Sequence, residues 1–292
     1  MNIPNFAFQH EGLDRAEHLR NQPQGLDNLW SNAHVLVLNE KGEACCTSAE
    51  QIFYTGENLS LRRPEQATFL GVFAEQGYFS VSLNAIKPIS FITVNIRLAG
   101  STWNALHASI FAQAKALLHW QAQSEFCGRC GTLMDLKTAG YSASCSACGL
   151  IAYPQTHPAV IMCVHDGEQV LLGRQAIWPE KKWSLLAGFV EPGETPEQTV
   201  VRETWEEAGV KVERVEYVTS QPWPMPMALM LGFTAYASHQ TVTVSEELQD
   251  ARWFSAAEIH TLVARGEMEL PDKMSISHYL LQSWLASANS ST

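Results

Sequence analysis

The sequence predicts an α+β to α/β chain in three parts: a β-rich N-terminal region, a small cysteine-held segment, and a C-terminal α/β region. Three observations predict it. Short apolar or alternating runs bounded by Gly, Asn or Pro fill the first hundred residues. Two CxxC pairs follow, Cys127 with Cys130 and Cys145 with Cys148. Beyond them, strand-like runs flank a glycine-bearing loop that leads into one strongly signalled helix.

The elements are expected in this order. Strands are read at 34–38 (HVLVL, running into the turn NEKG), 68–73 (TFLGVF) and 78–83 (YFSVSL). No chemical motif stands out among them. In 106–122, Leu106, Ile110, Ala114 and Leu117 recur at helical spacing, with Phe111 and Leu118 widening the stripe. The cysteine-rich segment spans 126–150. Strands at 158–164 (PAVIMCV) and 170–172 surround the turn HDGE. The strong helix comes next, then strands at 217–220 and 230–236, and a last amphipathic helix over 275–286.

Composition narrows the function. Hydrophobic residues make up 46% of 292, which excludes a disordered chain and suggests about two domains of ~150 residues. The formal charge is −11, so the overall field draws neither DNA nor an anionic membrane. Handling phosphates then requires a local device such as metal ions. Charged residues are only 17%, with nine Trp and twelve Phe, which points to extra buried surface of the kind found between subunits. No run approaches the ~18 apolar residues of a membrane span, and the N-terminus has no apolar core of signal-peptide length. A cytoplasmic location is expected. There, disulfides are rare, and seven cysteines, four of them in CxxC pairs, favour metal.

The four cysteines form C-x2-C-x14-C-x2-C, a spacing that can set four thiolates tetrahedrally around one zinc. Gly follows each pair and suits a tight turn. Redox thiols are the competing reading, but a redox CxxC ordinarily occurs once, at a helix start. Only Arg129 and Lys137 are basic in this segment, opposed by Asp135, so one structural zinc per chain is favoured over a nucleic-acid contact. Cys163 lies in an apolar strand and reads as core.

The strong helix is bounded by its own chemistry. Thr195-Pro196-Glu197-Gln198 is a capping box with Pro at the first helical position, and Gly209 is a stop, which gives a helix over 196–208. Glu203 and Glu207 stand one turn apart on one face, with Glu206 at its edge, and Arg202 can pair with Glu206. Like charges at this spacing cost about 0.2–0.5 kcal/mol per pair. Stacked carboxylates therefore suggest a hard cation, Mg²⁺ or Mn²⁺. A solvated acidic face is the plain alternative. The preceding loop, with Gly188, Gly193 and two more acids, favours the metal and phosphate reading.

Gly188-x5-Glu194-x7-Arg202-Glu203-Thr204-x-Glu206-Glu207-x-Gly209-Val210 resembles the Nudix box at every fixed position, with a polar Thr204 at the aliphatic slot. Ten residues on, Ser220-Gln-Pro-Trp-Pro-Met-Pro-Met-Ala228 is similar to the SQPWPFPxS motif of the NADH pyrophosphatase branch; read bare, it is a rigid Pro-rich loop able to wall a planar ligand with Trp223. The resemblance covers about 120–281 well and the first hundred residues loosely. It implies a β-rich N-terminal domain over 1–124, a zinc ribbon over 125–152 and a Nudix α/β/α sandwich with mixed sheet over 153–292. It implies two or three Mg²⁺ or Mn²⁺ ions held by Glu203, Glu206, Glu207, Glu247 and the carbonyl of Ala187. Catalysis would rest on Glu207, Glu206 and Glu203, with Arg202 orienting them. Zinc would sit on Cys127, Cys130, Cys145 and Cys148. Substrate contacts would come from Tyr153, Phe189, Ser277, Arg97 and the motif residues Gln221, Pro222, Trp223, Pro224, Met225, Pro226, Met227 and Ala228. Met225 and Ala228 depart from the motif's Phe and Ser, which bears on dinucleotide preference.

The implied reaction is cleavage of the diphosphate of NAD(H) to AMP and nicotinamide mononucleotide, by a homodimer. Alternatives are NAD-capped RNA, ADP-ribose or diadenosine polyphosphates as substrate. An inert Nudix fold with a nucleic-acid-binding ribbon is a further alternative, against which the intact box argues.

Overall fold

The computed structural model describes residues 6–48, 50–87 and 91–290. Two compact units are present: Ala7–Thr156 with Trp223–Met227, and, among the described residues, Phe6 with 157–222 and 228–290.

The first unit carries α1 (Pro23–Trp30), β1 (His34–Leu38), β2 (Ala44–Cys46), β3 (Tyr54–Thr55), α2 (Gly56–Leu59), β4 (Thr68–Phe73), β5 (Gln76–Ser82), β6 (Ile92–Val94), α3 (Ile96–Thr102) and α4 (Ala105–Gln123). The ribbon strands β7 (Met134–Lys137), β8 (Ser142–Cys145) and β9 (Ile151–Ala152) follow. Its large sheet runs β4-β5-β1-β2-β6, with β3 added to β1. The β1/β5 pair is parallel and the other pairs are antiparallel. One face of this sheet packs Val35, Val37, Phe69 and Phe79 against Leu26 and Trp30 of α1. Helix α4 packs on β4, β5 and β1. Its start is fixed by Asn104, whose side chain accepts from the His107 N–H. The region expected to be mostly strand thus also holds α1, α2 and α3. These are short and polar, so their apolar periodicity is too brief to read.

The second unit carries β10 (His157–His165), β11 (Gln169–Arg174), β12 (Leu186–Phe189), α5 (Pro196–Ala208), β13 (Arg214–Trp223), β14 (Ala228–Tyr236), β15 (Asp250–Ser255), α6 (Ala256–Ala264) and α7 (Ile276–Ser290). Its sheet runs β13-β14-β10-β11-β15, with β12 on β10. It is mixed: β10 pairs parallel with β14 and antiparallel with β11 and β12. Side chains alternate across β10. Val160, Met162 and Val164 face Val200 and Ala208 of α5. Ile161 and Cys163 face Ile276, Leu280, Leu281 and Trp284 of α7. The sheet therefore lies between helices on both faces, an α/β/α sandwich. Burial pushes the Cys163 thiol up to about 12, as expected of an inert core residue.

The run 220–228, read as a loop, is a correction. Ser220–Trp223 end β13, Ala228 begins β14, and only 224–227 turn between them. The Pro residues sit where the ladder ends, which let the flanking strand be mistaken for loop.

Candidate active site and zinc cluster

Helix α5 is built as its sequence demands. Thr195 Oγ1 accepts from the Gln198 N–H at 3.2 Å, and Gln198 Oε1 accepts from the Thr195 N–H at 2.8 Å. Gly209 closes the helix at φ 66°, a left-handed turn that glycine adopts without strain. This fixed helix packs against β12. A Cβ at position 188 would overlap the Glu203 carboxylate, so glycine there is what lets that carboxylate lie against the strand.

Arg202 organises the acids. Its Nε donates to Glu194 at 2.7 Å and its Nη2 to the other Glu194 oxygen at 3.0 Å. Nη1 donates to Glu203 at 2.9 Å and to Glu206 at 2.8 Å, and Nη2 also reaches the Phe189 carbonyl at 3.0 Å. The hydrogen bonds from Arg202 hold Glu194 down at about 2, helped by Thr199. Arg202 is in turn pushed above its ordinary value, first by Glu194 and then by Glu206 and Glu203.

Glu207 is the exception on the face. It is 5% exposed, and its Oε2 is buried with no hydrogen-bond partner. Burial, then the charges of Glu203 and Glu247, push it up to about 8. Glu203 is also raised, chiefly by burial, against the pull of Arg202. Glu247, exposed in the segment before β15, is thereby placed in electrostatic reach of both. Ala187 lies on β12 opposite Ile161 of β10. Phe189 is exposed, with its ring edge-on to His157 at 6.5 Å.

The remaining expected substrate residues are divided between the two units. Trp223 and Arg97 come together in the first unit, where the guanidinium carbon lies 5.9 Å from the ring centroid and Phe8 packs edge-on at 6.3 Å. Met227 is buried among Trp120, Cys127, Met134 and Cys145. Pro224 is buried, Pro222 and Pro226 are exposed, and Met225 and Ala228 are half-buried. Tyr153 is exposed just after β9. Gln221 is fully buried: its Nε2 donates to the Met274 carbonyl at 2.8 Å, and its Oε1 accepts from the Ile276 N–H at 2.7 Å. Ser277 is buried and shares a 2.9 Å hydrogen bond with Ser184. Both side chains lie at the start of α7.

Sequence reasoning gave Glu194 no role beyond its place in the box. Its distance in sequence from Arg202, across a turn and two helical turns, hides the pairing. Helix capping gave a partial signal, because the box fixes where α5 begins and hence which side chains can reach back to it.

In the ribbon, the four thiols of Cys127, Cys130, Cys145 and Cys148 lie within 4.8 Å of one another. Among the described residues they are the one group of three or more His, Cys, Asp or Glu so tightly gathered. Sγ separations are 3.6 Å for Cys127 to Cys148 and 3.5 Å for Cys130 to Cys145. A tetrahedral zinc with ~2.3 Å Zn–S bonds needs sulfurs about 3.8 Å apart, so the donor set fits. Gly131 and Gly149 take φ 74° and 72°, and their N–H groups bond the Cys127 and Cys145 carbonyls in matching turns. Hydrogen bonds with Thr132 bring Cys130 down to about 6, while burial and the other three thiols push Cys148 up to about 11, so the four sulfurs compete for protons as one cluster.

Known proteins share this arrangement. The NUDIX domain model matches residues 155–274, and the NADH pyrophosphatase zinc ribbon model matches 122–153. The NAD-capped RNA hydrolase NudC of Mycobacterium bovis is 32% identical over 291 residues, covering 94% of this chain and 93% of its own. Nudix hydrolase 19, chloroplastic, of Arabidopsis thaliana is 41% identical over 233 residues, covering 75% of this chain and 52% of its own. The human NAD-capped RNA hydrolase NUDT12 is 40% identical over 192 residues, covering 61% and 42%. Likeness that runs nearly end to end, on top of the Arg202-bound carboxylate helix and the four gathered thiols, identifies the chain as a member of the Nudix hydrolase family, in the branch that carries the NADH pyrophosphatase zinc ribbon.

Proposed function

We propose that the chain hydrolyses the diphosphate bond of NAD(H), free or as the 5′ cap of RNA, releasing nicotinamide mononucleotide and AMP or a 5′-monophosphate RNA. The observation that carries this reading is the near full-length likeness to a NAD-capped RNA hydrolase. The site chemistry supports it. A buried, unpartnered carboxylate oxygen on Glu207 beside Glu203 and Glu247 is a donor set that fits a hard divalent cation. Mg²⁺ or Mn²⁺ would be held by Glu203, Glu206, Glu207, Glu247 and the Ala187 carbonyl. When bound, such ions neutralise the diphosphate and polarise its oxygens.

The chain's own groups do the rest. Glu207 takes the proton of the attacking water through whichever of its carboxylate oxygens is not spent on the cation, because no side chain of the protein ties up its buried Oε2. Arg202 holds Glu203 and Glu206 in place through its fork and ties them to Glu194 and to the backbone of β12. Phe189 offers an exposed ring for a base to stack on. Within the first unit, Trp223 and Arg97 pair a planar ring with a cation. Zinc serves structure alone in this reading, within a ribbon domain that follows an N-terminal domain and precedes the Nudix domain at about residues 125 and 153. The active form is a homodimer in the cytoplasm, and light scattering checks the association: a mass near the 32.4 kDa of one chain with full activity would overturn it.

The substrate is tested by chromatography of products from NADH, NAD⁺, ADP-ribose and NAD-capped RNA with Mg²⁺ or Mn²⁺. AMP and reduced nicotinamide mononucleotide are expected from NADH. Rapid cleavage of ADP-ribose with no AMP from NADH would refute the assignment.

A further inference from the structure

In the first unit, a cavity of about 270 Å³ opens between the turn before α1, the segment 63–66 and the ribbon turn at 136–140. Arg20, Arg63 and Lys137 line it, and Glu65 is the single acid among its lining residues. Residues 7–156 carry ten Lys and Arg against twelve Asp and Glu, while 157–292 carry nine against eighteen. Three of the first unit's ten cations thus converge on one cavity, in the half of the sequence that is nearly neutral.

The cavity wall is built rather than loosely assembled. The Arg20 guanidinium carbon lies 3.6 Å from the Tyr141 ring centroid, a stack that holds the planar fork still. Its Nε is buried with no hydrogen-bond partner, a donor without an acceptor. Arg63 gives its Nε to Asp27 at 2.8 Å and keeps its other donors. The ribbon side is a rigid turn. Thr138, Ala139 and Gly140 all take left-handed backbone, at φ 53°, 51° and 93°. Gln121 Nε2 pins this turn, donating to the Gly140 carbonyl at 3.0 Å and to Thr68 at 2.9 Å. Two successive non-glycine residues in that conformation persist only where their surroundings fix them. In sequence Lys137 stands with only Arg129 for basic company in the ribbon. The fold brings Arg20 and Arg63 to it.

Three cations in a space this small, one held by its stack on Tyr141 and one with donors left over, suit a phosphate group. We propose that this cavity seats a backbone phosphate of a single-stranded RNA, the chain that follows the NAD cap. This rests on the reading of capped RNA as a substrate and adds where the RNA body is held. The ribbon turn then contributes a cation to RNA binding in addition to its zinc. The phosphate could equally come from a free mononucleotide, and the arms of the test separate the two.

The full-length, zinc-loaded protein is compared with Lys137→Glu, a change at an exposed side chain, and with Arg20→Lys, which keeps the charge and loses the planar fork. Binding of an uncapped, fluorescein-labelled oligoribonucleotide is followed by anisotropy, beside kcat/KM on free NADH and on NAD-capped RNA. We expect Lys137→Glu to weaken oligoribonucleotide binding about tenfold and to reduce the slope of log Kd against log salt by about 0.7, the loss of one phosphate contact. Arg20→Lys should weaken binding in the same direction, and kcat/KM on free NADH should stay unchanged in both. Equal binding by wild type and both variants, or an equal fall on free NADH and capped RNA, overturns the proposal. So does displacement of the RNA by millimolar AMP with the same dependence on Lys137, which would make this a mononucleotide site. Binding that follows the variants while NADH and capped RNA both go uncut would instead sink the substrate reading and leave the RNA seat standing.

Discussion

Replacing Glu207 by Gln separates what this residue costs the fold from what it gives the reaction. The carboxyl is buried, its Oε2 is unpartnered, and it stands near the charges of Glu203 and Glu247, so its ordinary value of 4.5 rises to about 8. Between those two values the folded protein holds a proton that the unfolded chain has released. The contribution of Glu207 to stability is then greatest below about pH 4.5, falls as pH rises toward about 8, and levels off above. At pH 7 the accumulated loss is about 3 kcal/mol, since each pH unit across this window contributes about 1.4 kcal/mol. A Gln at 207 keeps the shape and never ionises, so it lacks this slope. The assay is urea unfolding from pH 5 to 8.5, on protein dialysed free of Mg²⁺ and Mn²⁺ with the ribbon zinc retained. Wild type should lose ground steadily against Glu207→Gln as pH rises. Adding Mg²⁺ at pH 7 should restore wild type more than the variant, because a cation beside the carboxylate removes the cost of its charge. In turnover assays with Mg²⁺, the variant should fall by orders of magnitude. Parallel stability profiles for the two proteins would refute the reasoning about Glu207, as would wild-type turnover by the variant.

Three other changes test the rest of the structure. Cys145→Ser should drop the zinc content, measured by atomic emission, from one per chain toward none and lower stability, because the four-sulfur shell no longer closes. Gln221→Leu removes the buried amide that serves the Met274 carbonyl and the Ile276 N–H; denaturant titration should give a loss of about 2 kcal/mol, two hydrogen bonds of about 1 kcal/mol each. Arg202→Lys keeps a positive charge but not the fork that reaches Glu194, Glu203, Glu206 and Phe189 at once. Its kcat should fall about 100-fold with KM little moved, the sign of misplaced catalytic groups.

Much of the fold was legible wherever local chemistry marked an element's ends. The capping box and Gly209 placed α5 at Pro196–Ala208, and the HVLVL and TFLGVF runs gave β1 and β4 with their observed bounds. The elements missed were those whose stability is borrowed from neighbours. Strand β15 reads DARWFS, with no clean alternation, and forms because β11 supplies a ladder along its whole length. Helix α1 holds a Gly, a Gln, an Asp and an Asn in eight residues and is kept by burying Leu26 and Trp30. Helix α6 was legible and passed over: Ser255 and Glu258 make a capping box as complete as that of α5. The zinc ligands were legible because their spacing alone nearly fixes their geometry. The pairing of Arg97 with Trp223 was not, since 126 residues separate them and only tertiary packing brings a cation over that ring.

The carboxylate helix shows why counting charges was insufficient there. Stacked glutamates suggest a metal by their number, yet the fold already answers most of that repulsion: Arg202 reaches Glu194, Glu203 and Glu206 together. Had the arginine balanced every acid, the helix would need nothing more and an acidic surface would suffice as its explanation. What Arg202 leaves over is a single group, Glu207, buried against the sheet with one oxygen facing no donor. A structural acid in that position is a poor solution, because Gln or Leu would fill the space without a charge to bury. The argument for a catalytic cation therefore passes from the number of glutamates to the one that the protein itself does not satisfy.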